Sequence, residues 1–167
     1  LKEFKENASK SGILAEAVTR VMIDPIEDIA ISGTISMSLS SGLKDAVSIS
    51  ATVLPNDLSN LVNEINKVSE LTGVKAILFS DKKRLILENS NADDIKITNF
   101  SAPGVGETTA TVLNQLYRST TSSITLGSAS TNNSAVFTGT IKLQSAVDFA
   151  LTSTDGGSNL VGSAAIT

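Results

Sequence analysis

The chain has no cysteine, no histidine and no tryptophan, and a single tyrosine, Tyr117, among its 167 residues. Without cysteine there is neither a disulfide framework nor a thiolate metal site in any compartment. Without histidine the commonest general base and the commonest metal ligand are missing, so a serine–histidine–acid triad is excluded. One Tyr and no Trp supply few platforms for stacking a sugar, which disfavours a lectin; the five Phe follow core patterns, with Phe79, Phe137 and Phe149 on expected strands. Charge is scarce as well. Charged residues make up 18% of the chain and sum to −4, which argues against nucleic acid or an anionic membrane as a partner, since both need a basic surface. No apolar run approaches the roughly 18 residues of a membrane helix, and the opening LKEFKENASKSG lacks the apolar centre of a secretory signal. A chain that begins at Leu1 reads as a piece of something longer.

Serine and threonine take the place of charge, and much of the chain alternates between them and apolar residues. Ile29, Ile31, Gly33, Ile35, Met37 and Leu39 occupy the odd positions of residues 29–39, and Val47, Ile49, Ala51 and Val53 continue the alternation after a turn at Ser41-Gly42. A period of two with one wet face predicts a long antiparallel hairpin over residues 29–53. Pro55 ends it, and Asn56 or Asp57 is placed to cap a helix. Leu58, Leu61, Val62, Ile65 and Val68 then follow at helical spacing, with Leu71 close to the same stripe and Asn60, Asn63, Glu64 and Lys67 opposite. Gly73 can adopt the left-handed conformation that closes a helix. Residues 74–79 and 85–87 read as two strands around the polar turn Ser80-Asp81-Lys82-Lys83, and Lys82-Lys83-Arg84 reads as solvated turn charge. Ile95 and Ile97 mark a third short strand, all three needing the helix packed across them.

Pro103-Gly104-Val105-Gly106 is the best internal boundary. Residues 108–117 suit either a helix, through Val112, Leu113, Leu116 and Tyr117, or a strand. More than half of residues 119–140 are Ser or Thr. A second hairpin is expected from Phe137, Gly139, Ile141 and Leu143 followed by Val147, Phe149 and Leu151, with its turn at Ser145-Ala146 and Gly139-Thr140-Ile141 repeating Gly33-Thr34-Ile35.

The start of the chain echoes its middle. Gly12 laid on Gly73, an offset of 61, aligns Glu3 with Glu64, Ile13 with Val74 and Ala15 with Ala76; at an offset of 66, Glu27-Asp28-Ile29 falls on Asp93-Asp94-Ile95. This reads as a diverged duplication whose first copy is truncated.

No stretch assembles chemistry. Ser9-Lys10-Ser11 is the nearest pairing of a nucleophile with a base, but it sits at an expected helix end. Asp93 and Asp94 are neighbours at a strand start, so their carboxylates point to opposite faces and cannot flank one glycosidic bond. Charges there, and at Glu27-Asp28, suit the blunting of a sheet edge. Glu88, Asn89, Ser90, Asn91, Asp93 and Asp94 are rich in oxygen but do not have the spacing of a calcium loop. Gly104-Val105-Gly106 lacks the third Gly and the Lys of a phosphate cradle.

The run Leu58-x-x-Leu61-Val62-x-x-Ile65-Asn66, Thr72-Gly73-Val74-x-Ala76, Arg84-Leu85-Ile86-Leu87 and Asp94-Ile95-x-Ile97 resembles the flagellin IN motif, a module of the variable central region of bacterial flagellins and of hook-associated proteins. The segment GTIKLQSAVDFALTS also resembles strand-rich parts of flagellin outer domains. The resemblance implies a flagellin outer domain of D2/D3 type: an α+β, sheet-dominated fold of antiparallel hairpins and short strands packed on one or two amphipathic helices. Residues 1–103 would form tandem units around the inserted hairpin 29–53, and residues 104–167 a β-rich, Ser/Thr-rich subdomain. It further implies a structural, non-catalytic role on the extracellular filament, with no cofactor, metal or catalytic residue. Its partners would be other flagellin subunits and O-linked glycans, with no nucleic acid and no membrane. No long heptad segment builds a filament core here. A filament cap or hook-associated protein, or an adhesin-like binding module, are the alternatives.

Overall fold

A computed structural model of the chain describes residues 12–25, 29, 32–103, 108–113, 119–127, 132–146 and 148, with the backbone alone for 119–122. Contacts divide the chain into two units, Glu16–Lys142 on one hand and Leu1–Ala15 with Leu143–Thr167 on the other, and the first holds nearly every described residue.

The strands are β1 (Leu14–Pro25), β2 (Gly33–Ser41), β3 (Val47–Val53), β4 (Lys75–Leu78), β5 (Leu85–Asn89), β6 (Ile95–Ser101), β7 (Thr108–Leu113), β8 (Ser119–Leu126), β9 (Ala135–Phe137) and β10 (Thr140–Gln144); the helical segments are α1 (Ser59–Lys67) and α2 (Ser69–Thr72). Among the described residues they build two sheets. The first runs β4-β5-β1-β7-β8, with β10 also paired to β1, and the second runs β3-β2-β6-β9. Neighbours along both orders are antiparallel.

Period-two sequence explains the layering. In the hairpin β2–β3 the inward residues Ile35, Met37 and Leu39 lie opposite Ala51, Ile49 and Val47, while the serines and threonines between them face out. Val21 and Ile23 of β1, Leu85 and Leu87 of β5 and Ala110 of β7 join Ile35, Met37, Leu39, Ile95 and Ile97 in a single core, so the inner faces of the two sheets pack on one another. Burying each of the larger of these side chains contributes about 1.5–3 kcal/mol.

α1 contributes Leu61, Val62 and Ile65 to the same core, and Leu58 just before it joins them. The helix lies against β3 and β4, the terminal strands of the two sheets, and so closes one side of the sandwich. The N-cap position falls on Leu58 and not on Asn56 or Asp57, and no side chain caps it; Asp57, one residue earlier, accepts the Ser59 amide at 2.8 Å. The Leu58 amide meanwhile donates to the Lys82 carbonyl, tying the helix start to the β4–β5 turn. The helix breaks at Val68 (φ −107°, ψ 12°) and resumes as one short turn that ends at Gly73 with φ 72°. The break carries Leu71 off the apolar stripe, and it is 65% exposed.

Several expectations take a different form. Residue 29 lies outside β2: Ile29 is buried, but its amide donates to the Asn56 side chain and its carbonyl accepts the Asn56 amide, while residues 30 and 31 lie outside the described set. Residues 95–101 do not extend the β4–β5 sheet but cross to the other one, between β2 and β9. Phe79 falls just past β4, half-buried with the Arg84 guanidinium 4.8 Å above its ring, and is not a core residue. The alternation over residues 137–143 is two strands, because β9 pairs with β6 whereas β10 pairs with β1. Residues 108–113 form a strand, and β7 pairs with β1 across the Pro103 boundary. The second arm of the expected last hairpin, at Val147, Phe149 and Leu151, lies outside the described residues.

Candidate functional site

The most organised polar cluster stands where β2, β5 and α2 end together. Asn89, 2% exposed at the end of β5, donates from Nδ2 to the Ser41 hydroxyl (3.0 Å) and to the Gly73 carbonyl (2.9 Å). Its Oδ1 accepts the amides of Asn91 (2.9 Å) and Asp93 (3.0 Å), shaping the turn into β6. Ser41, 1% exposed, passes its own proton to the Thr72 carbonyl at 2.6 Å. The Thr72 hydroxyl donates to the Val68 carbonyl and accepts the Val74 amide. These groups are all neutral and saturated with each other, and buried polar groups in that condition fix geometry rather than perform chemistry.

Asparagines serve the same purpose along α1. Asn66 both donates to the Ala76 carbonyl (2.9 Å) and accepts the Ala76 amide (2.8 Å), so one side chain pairs with the outer edge of β4 as a strand residue would. Asn60 donates to the Thr52 carbonyl of β3 at 2.9 Å. An edge with open amides and carbonyls invites foreign strands, and both terminal strands on this side are blunted by the helix. An Asn66→Ala variant is expected to lose about 1–2 kcal/mol of stability. Urea unfolding checks this, and a loss as small as that of the exposed Asn63→Ala would show that the clip contributes nothing.

The oxygen-rich run 88–94 is drawn into this scaffold and does not converge on a cation. Arg20 holds Glu88 at 2.7 Å, Asn89 is spent as described, and Asp93 packs its carboxyl beside Gly42. The Asp94 carbonyl accepts the Gly42 amide. Among the described residues no three acids are grouped. The Lys82-Lys83-Arg84 turn is a turn, held by the Asp81 carboxylate, which accepts the amides of Lys83 and Arg84 and the guanidinium of Arg84. Ser9-Lys10-Ser11, Glu27-Asp28, Gly104-Val105-Gly106 and Tyr117 lie outside the described residues.

Two carboxylates shift in opposite senses. Hydrogen bonds from Ser59, and a weaker contribution from the Lys82 ammonium 3.3 Å away, hold Asp57 below the usual 3.8. An acid lowered in the folded state adds stability above its usual value and loses it as pH falls through the folded value. Burial raises Asp24 despite the nearby Arg84, so its ionisation weakens the fold as pH rises from 3.8 through the folded value. Asp24→Asn is therefore expected to raise the melting temperature near neutral pH but not at about pH 3, whereas Asp57→Asn should reduce the loss between those two conditions. Paired thermal melts read both, and equal shifts at the two pH values would contradict the assignment.

Two hollows lie among the described residues. A polar one of about 250 Å³ lies above the Asn89 cluster, between Lys44, Glu70, Lys75, Glu88, Ser90 and Asn91. Lys44 is committed there to the Glu70 carbonyl at 2.7 Å. The other, about 460 Å³ and mainly apolar, opens between β8 and β9 and is lined by Val112, Ile124, Ala135, Phe137 and Gly139.

No helix among the described residues is long and apolar enough to cross a membrane. No protein-family model matches the chain, and no curated protein matches it in sequence.

Proposed function

We propose that the chain is an α+β outer domain of a flagellin, a structural and non-catalytic part of the extracellular filament surface. One observation supports this reading above the others: most residues of the motif that resembles the flagellin IN module have a task in holding the fold. Ile65 is fully buried and Asn66 clips β4. Thr72 bonds the helix end to the next strand, Gly73 turns the chain with φ 72°, and Val74 and Ala76 are buried. Leu85 and Leu87 then supply the core from the second strand of the unit. A surface module of a filament needs a rigid scaffold with a polar exterior, and outward-facing Ser and Thr provide that exterior on β2 and β3. Those hydroxyls are the proposed acceptors of O-linked glycans. An intact mass of the native protein equal to the bare polypeptide would rule glycosylation out.

The reading is tested on the source organism. Antibody raised against the chain should label flagellar filaments along their length in electron micrographs. Label confined to the filament tip would assign the chain to a cap protein instead, and filaments that stay unlabelled would reject both.

A further inference from the structure

We propose that a second copy of this chain docks on the β8 edge, by antiparallel β8-to-β8 pairing about a two-fold axis. The two sides of the sandwich are finished differently. On one side α1 covers the gap, and Asn60 and Asn66 occupy backbone groups of β3 and β4. On the other side the sheets end at β8 and β9, and among the described residues β8 has β7 as its ladder neighbour and nothing beyond it. The apolar hollow of about 460 Å³ lies between these two strands, with Val136 of β9 59% exposed at its rim.

The chemistry of this side names its occupant. A strand edge presents a row of amides and carbonyls, which an extended strand satisfies along its whole length. Two copies carrying −4 each repel one another in general. β8 (STTSSITL) and β9 (AVF) contain no charged residue and no proline, so here two copies approach without setting like charges together or losing a hydrogen bond. Antiparallel pairing of two identical, uncharged edges closes under two-fold symmetry. The two-fold axis is placed at Ser123, the exposed residue at which the regular ladder of residues 123–126 begins. Ile124, Val112 and Ala135, half-buried around the hollow, gain further cover in the pair. Nothing in this pairing depends on the filament reading, and a failure of filament labelling leaves it untouched.

The experiment is sedimentation of the full chain up to roughly 100 µM, well above the micromolar dissociation constant of a weak specific complex. A dimer is expected whose dissociation constant rises about tenfold or more in Ser123→Lys, because like charges meet across the axis. Ser50→Lys, on the exposed face of β3, should leave it unchanged. If Ser123→Lys fails to fold by circular dichroism, Ser123→Cys decides: in this cysteine-free chain mild oxidation should give a covalent dimer, and Ser50→Cys should not. A chain that stays monomeric over the whole range overturns the proposal. So does a dimer equally sensitive, or equally indifferent, to the two sites.

Discussion

Asn89→Ala is expected to lower the midpoint of thermal unfolding by roughly 10 °C, a loss of about 3–5 kcal/mol. Asn89 makes four hydrogen bonds from a position 2% exposed, joining the ends of β2, β5 and α2 to the turn that launches β6. Truncation leaves the Gly73 carbonyl and the amides of Asn91 and Asp93 without the partner they have now. A stranded group costs about 1–3 kcal/mol when buried, and these three bonds are partly buried. Asn89→Asp should be at least as damaging, since it keeps an acceptor for the two amides but loses both donations and places a carboxylate against a carbonyl. Calorimetry and urea titration read both variants. A loss below about 1 kcal/mol for the alanine variant would mean that water substitutes for the amide, and that the cluster does not organise the fold.

The second large effect comes from a pair of glycines in the same backbone conformation. Gly73 has φ 72° and Gly12 has φ 76°. A Cβ at Gly73 would lie 2.6 Å from the Ser41 hydroxyl oxygen, whereas one at Gly12 meets nothing within 4 Å. Gly12→Ala thus bears only the left-handed backbone strain, about 1 kcal/mol. Gly73→Ala bears that strain and also displaces Ser41 from its bonds to Thr72 and Asn89, for an expected total of about 3 kcal/mol. Equal losses in the two variants would show that backbone strain alone accounts for both.

How far this could be read from sequence depends on the kind of force involved. Apolar period sets local elements, and so the β2–β3 hairpin, the stripe of α1 from Leu58 to Ile65, the Gly73 stop and the β4–β5 hairpin all follow from it. Which sheet a strand joins is settled by partners far away in the chain, and nothing local in Ile95-x-Ile97 says that it pairs with β2. Leu71 leaves the stripe that runs to Val68 because the helix breaks there. The asparagines were the real omission. Asn60 reads as a solvent-facing helix residue and Asn89 as part of an oxygen-rich loop, yet both complete backbone pairing. The available signal was Asn recurring at element ends, where open amides and carbonyls need an acceptor and a donor on one side chain.

β1 lies between β5 and β7, in register with residues 85–89 on one side and 108–113 on the other. The hairpins β2–β3 and β4–β5 close over short loops and can form early, but the strand nearest the N-terminus has no place to pair until segments much later in the chain are in position. Non-local pairing of this kind slows folding, because chain entropy is lost before the contacts that compensate for it are made. The local hairpins β2–β3 and β4–β5 are therefore expected to form before β1 gains both of its partners.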